Sequence, residues 1–116
     1  MSDPVQLRTA RPAPDCVVLF VLGEVDLVTA PELELAISRE LAAAPARLVL
    51  DLSGVTFFGS LGLAALIRGT ELAAAHEVRL VLVTNRFVRR TMELTTTEEL
   101  FETYETLEAA VSAPSG

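Results

Sequence analysis

The sequence predicts an α/β fold: one domain in which a mixed sheet of four to five strands carries helices packed on it. Three observations lead there. Short apolar runs rich in Val and Leu recur at residues 16–22, 47–52 and 79–83. Each is short enough for a strand and apolar enough to be covered on both faces. Stretches with helical periodicity and start signals lie between them. That alternation makes the central strands parallel, with helices as crossovers. A chain of 116 residues holds one core, and 1–116 reads as a single domain without repeat or linker.

Val5 to Arg11 alternates weakly and predicts an edge-like first strand, which Pro12-Ala13-Pro14-Asp15 breaks with a turn. Cys16 to Leu22 is the second strand, antiparallel to the first across that turn. Residues 23–28 form a loop or an extension of it. Thr29 then stands as an N-cap, with Pro31 in the first turn and Glu32 completing a capping box. Leu33, Ile37 and Leu41, four residues apart, give the first helix its apolar stripe, and Pro45 stops it.

Leu48 to Leu52 is the next buried strand, and a short loop leads from it into a helix from about Ser60 to Ala75. A hydroxyl at that start is a natural helix cap and a natural place for a phosphate. Leu61, Leu63, Ala64, Ala65, Leu66 and Ile67 make the first turns apolar nearly all round. Such a helix is either deeply buried or presents an apolar start to a partner. Arg79 to Val83 is a further strand. Asn85 caps a third helix with Val88 and Met92 on one side, and Leu100-Phe101 is a short last strand. Thr106 caps a final helix with Leu107 and Val111 inward, and 112–116 is a fraying tail.

Hydrophobic residues make up 51% of the chain, yet no apolar run reaches the roughly 18 residues that cross a bilayer. Met1 to Asp15 is polar and unlike a signal peptide, so the expected location is cytoplasmic, away from any membrane. The net charge is −7 and every basic residue is Arg. An acidic surface repels phosphate backbones, which argues against a nucleic-acid partner. One cysteine, Cys16, and one histidine, His76, leave no intrachain disulfide and no Cys/His metal site. Cys16 reads as a small buried hydrophobe and His76 as a residue at a helix end. No nucleophile–base–acid set and no phosphate loop is visible, so the expectation is a non-enzyme without cofactor or metal.

The segment Asp51-Leu-Ser-Gly-Val-Thr-Phe-Phe-Gly-Ser-Leu-Gly-Leu63 resembles the central motif of the STAS domain of bacterial anti-sigma factor antagonists. The family pattern is roughly Asp-Leu-Ser-x-Val-x-Phe-apolar-Asp-Ser-Ser-Gly-Leu. Gly23-Glu-Val-Asp-Leu-Val-Thr-Ala-Pro-Glu-Leu33, Val88 to Leu94 and Leu100 to Ala110 resemble its other segments, in order and at the right spacings. A Gly that commonly follows the Leu-Thr of relatives is replaced within Thr95-Thr96-Thr97. Two departures fall on the motif itself. Gly59 stands where the family has Asp, and Leu61 where it has its phospho-acceptor Ser.

The resemblance implies a switch in partner choice: an antagonist binds an anti-sigma factor, often a serine kinase, and so frees a sigma factor. Phosphorylation at the helix start adds nearly two negative charges to the interface and releases the complex. Carried over by position, Asp26, Thr29, Gly59, Ser60, Leu61, Gly62 and Leu63 form the partner-binding set. Ser60 is the candidate phospho-acceptor, unless it only caps the helix. Leu61 is either core or an apolar anchor on the partner-facing rim. Asp26 is either a turn carboxylate or part of that face, and Asp51 orders the loop after it. Arg86, Arg89 and Arg90 read as a solvated helix face, or as a site for an anion or an acidic partner. The expected function is therefore an anti-sigma factor antagonist whose phosphorylation control is altered or absent. The alternative is a small-ligand sensor, for an anion or nucleotide, or a scaffold module. The apolar helix start also leaves room for a homodimer.

Overall fold

A computed structural model of the chain describes residues 5–114. Its elements are β1 (Gln6–Ala13), β2 (Cys16–Val25), α1 (Ala30–Ala42), β3 (Arg47–Phe58), α2 (Ser60–Ala75), β4 (Arg79–Val83), α3 (Arg86–Leu94), a 3₁₀ turn (Glu98–Leu100), β5 (Thr103–Tyr104) and α4 (Leu107–Ser112). The sheet runs β1-β2-β3-β4-β5. β1 is antiparallel to β2 and the other pairs are parallel. This is the mixed α/β architecture that the apolar runs predict.

Strand periodicity divides the core in two. Val17, Leu19, Val21, Leu48, Leu50, Leu52 and Leu82 join side chains of α1, α2 and α3 in the larger cluster. The alternate residues Cys16, Val18, Val49, Val81 and Val83 meet α4 through Ala110, with Leu107 and Val111 at its edge. Leu33, Ile37 and Leu41 of α1 are buried, each contributing about 1.5–3 kcal/mol relative to exposure.

Four local readings are corrected. β1 continues through Pro12, because an edge strand has no ladder partner on its outer side for the missing N–H. β3 does not end at Leu52. Leu22, Gly23, Glu24 and Val25 pair with Gly54, Val55, Phe57 and Phe58, across two register shifts. Gly23 at the second shift has φ 97°, a value glycine takes without strain. The fifth strand is Thr103–Tyr104, not Leu100-Phe101, since Leu100 closes an exposed 3₁₀ turn. The tail is anchored through Pro114. Arg47, buried beneath α4, donates to the carbonyls of Ala110 (2.9 Å), Val111 (2.7 Å) and Ala113 (2.6 Å), and Arg79 donates to that of Pro114 (2.5 Å). A guanidinium supplies enough donors to satisfy the orphan carbonyls of a helix end. Residues 115 and 116 lie outside the described part.

Candidate functional site

The long β3 carries the chain to the far end of β2. There the Gly59 N–H donates to the Val25 carbonyl at 3.1 Å, tying the end of β2 to the start of α2. Gly59 is the N-cap residue, with φ −94° and ψ −176°, and Ser60 is the first helical residue. No side chain caps this helix. The reading of Ser60 as a cap is thus corrected: its side chain lies one residue too late to reach back, and the residue is exposed. Two residues on, a Cβ at Gly62 would lie 2.8 Å from the Phe58 ring and 2.9 Å from the Val25 side chain. Only glycine lets α2 settle this closely on the ends of β2 and β3.

The loop after β2 is closed by its own polar groups. Asp26 Oδ1 accepts from the N–H groups of Val28 (2.9 Å) and Thr29 (3.1 Å). Thr29 Oγ1 accepts from the Asp26 N–H (2.9 Å) and donates to the Glu24 carbonyl (2.7 Å). Thr29 is the N-cap residue of α1, but its hydroxyl turns backward to the loop, so the capping box with Glu32 does not form. Closed in this way, the loop leaves Leu27 and Val28 facing solvent, 74% and 76% exposed.

Asp51 orders the second half of β3, accepting from Ser53 N–H (2.9 Å) and Ser53 Oγ (2.6 Å). Asn85 binds that half to α3. Its Oδ1 accepts from Val88 N–H (3.0 Å) while its Nδ2 donates to the carbonyls of Val55 (2.7 Å) and Ser53 (3.3 Å). Thr91 Oγ1 donates to the Phe58 carbonyl at 2.9 Å. The junction therefore rests on a side-chain scaffold supplied by β3 and α3.

Of the predicted partner-facing residues, Ser60 and Leu61 are exposed and Asp26 and Gly59 half-buried. Thr29, Gly62 and Leu63 are buried and shape the surface from beneath. Leu61, 40% exposed, lies at the surface rather than in the core. Leu27, Val28 and the half-exposed Phe57 were not singled out from the sequence, yet they are large apolar side chains left in water at this same end of the sheet. The signal available was Leu27-Val28 itself, an apolar pair in a loop with no element to bury it. The Phe57 ring also lies against Gly59, 3.3 Å from where a Cβ would stand.

The groups with shifted proton affinity lie outside this corner. A hydrogen bond from Arg68 holds Glu34 below the usual carboxylate range, and one from Arg79 does the same for Glu102. Burial pushes the Cys16 thiol up, with Arg47 pulling less strongly the other way. His76 is exposed at the end of α2. No helix among the described residues is long and apolar enough to cross a membrane.

An α/β domain whose sheet hands the chain to an exposed helix start at Ser60 is the arrangement that the STAS resemblance implies. The STAS domain family model matches residues 8–110, and the chain belongs to that family. It is 36% identical over 99 residues to the anti-sigma-F factor antagonist RsfB of Mycobacterium tuberculosis, covering 85% of this chain and 81% of the relative. The crystal structure of an anti-sigma factor antagonist from Mycobacterium paratuberculosis superposes with a TM-score of 0.84 at 35% identity, over 97% of each chain. The Bacillus cell fate determinant SpoIIAA in its phosphorylated form shares the fold, with a TM-score of 0.68 at 16% identity over 91% of this chain and 96% of that one.

Proposed function

We propose that this protein is an anti-sigma factor antagonist: a non-catalytic cytoplasmic regulator that binds an anti-sigma factor of the serine-kinase type and so releases a sigma factor for transcription. The observation that carries this reading is the exposure of Leu27, Val28, Phe57 and Leu61 around the open start of α2. Apolar side chains held in water on an ordered frame are the material of an interface centre. Two relatives above 30% identity bear the name of anti-sigma factor antagonist, and each matches this chain over most of its length.

Control by phosphorylation is altered in this reading. Leu61 has no hydroxyl at the position of the family's acceptor. Ser60 offers one a residue earlier, turned by about 100° around the helix. An apolar Leu61 makes the contact itself insensitive to kinase action at that position.

Binding of the purified protein to each anti-sigma factor of its source organism tests the reading. We expect one partner to bind, Val28→Asp with Leu61→Asp to weaken it by about 100-fold or more, and Ser60→Ala to bind as wild type. Absence of binding to every anti-sigma factor, or full binding by the double Asp variant, overturns it.

A further inference from the structure

Three of the nine arginines fall within residues 86–90, on one helix of a chain whose net charge is −7. Arg86, Phe87, Arg89, Arg90 and Glu93 line an open groove on α3. The Arg86 guanidinium lies 5.1 Å from the centroid of the Phe87 ring, which is 40% exposed. Stacking fixes the direction of that charge without neutralising it. Arg89 is partly satisfied by Glu105 at 3.3 Å. Among the described residues, neither Arg86 nor Arg90 pairs with a carboxylate.

The helix that carries the groove is fastened to the strand that carries Phe57. α3 is bound to β3 by the Asn85 bonds to Ser53 and Val55 and by the Thr91 bond to Phe58, and Phe57 immediately precedes Phe58 in β3. The exposed aromatic face and the two uncompensated charges are thus carried by the same scaffold that presents Phe57, Ser60 and Leu61. An acidic protein repels an acidic partner at long range. A local reversal of sign beside the docking surface turns the encounter toward that surface.

We propose that Arg86 and Arg90, with the Phe87 ring, form the basic flank of the docking surface and engage an acidic patch on the anti-sigma factor. This rests on the antagonist reading and adds to it the charge of the partner at one edge. The flank acts on association, so its effect is greatest at low salt and is screened as ionic strength rises. It works independently of any modification at Ser60.

The test compares two double variants that change net charge equally: Arg86→Glu with Arg90→Glu, and Arg8→Glu with Arg39→Glu. Arg8 and Arg39 are exposed on β1 and α1. Probes are the purified anti-sigma factors of the source organism and the anti-sigma-F factor of Mycobacterium tuberculosis. Association rates are measured at low and high salt, with thermal melts to confirm folding. We expect the α3 pair to slow association about tenfold at low salt, with the gap closing at high salt and the control pair near wild type. Equal slowing by both pairs, or none by the α3 pair, overturns the proposal while leaving wild-type binding intact. A wild type that binds no probe overturns the antagonist reading, and this inference with it.

Discussion

The starts of α2 and α3 lie at the same end of the sheet and are built in opposite ways. At α3, Asn85 accepts from Val88 N–H and donates to two carbonyls of β3, so one side chain caps the helix and fastens it. At α2, Gly59 offers no side chain, no other group caps the helix, and Ser60 and Leu61 face solvent. The contrast separates two uses of a helix N-terminus. Where the end is structural, its amides are consumed by the fold. Where it is left open to solvent, tight glycine packing at Gly62 and the Gly59–Val25 bond hold it in place instead.

The largest expected effect breaks α2's mode of attachment. Gly62→Val places carbon within 3 Å of the Phe58 ring and Val25. It should cost about 2–3 kcal/mol, read as a lower urea midpoint at unchanged slope, because overpacking a close approach has no cheap relief. Unaltered stability would mean that α2 is not seated on β2 and β3 as described. Next comes α3. Asn85→Ala removes a cap and two donated bonds and should cost about 2 kcal/mol. Asn85→Asp keeps the acceptor and loses the donors, so it should fall roughly halfway between. If both variants are equally harmful, the cap contributes nothing and the contrast with α2 is wrong.

The other end of α3 sharpens the comparison further. Thr96 has φ 53°, and its N–H and that of Thr97 bond back to the Glu93 and Met92 carbonyls at 3.2 and 2.9 Å. This is a helix terminus that favours glycine, held by a β-branched residue in the left-handed region. Thr96→Gly should raise stability by about 0.5–1 kcal/mol, measurable as a higher melting temperature. A loss would show that the hydroxyl outweighs the backbone strain.

What the sequence disclosed follows the range of the forces involved. The runs at 16–22, 47–52 and 79–83 were legible because burial on both faces leaves a continuous apolar signature. The caps at Asn85 and Thr106 were legible because capping is local, and each accepts from the amide three residues on. The second half of β3 was not, because its exposure runs without period 2 and its pairing with residues 22–25 passes through two register shifts. Thr29 has the spacing of a capping box, but the competing Glu24 carbonyl becomes a neighbour only when the loop closes. The anchoring of residues 110–114 depends on Arg47 and Arg79, distant in sequence and silent in any local pattern. At the candidate site, residues 59–63 announced themselves through the motif. The exposure of Leu27, Val28 and Phe57 is a tertiary outcome.

The smallest expected effect is also the most discriminating. Ser60→Ala should change stability by less than about 0.5 kcal/mol, since no cap hydrogen bond is lost and Ala is the better helix former. Ser60 at α2 and Asn85 at α3 are both polar residues at a helix start, so a propensity argument alone would treat them alike. The geometry does not: one side chain is spent on the fold and the other is free of it. A cost near 1 kcal/mol for Ser60→Ala would show that its hydroxyl caps α2 in solution, and the distinction between a consumed and an open helix start would fail. A negligible cost leaves that hydroxyl free of the fold, and under the proposed antagonist function replacing it with Asp tests by partner affinity, not stability, whether charge there matters.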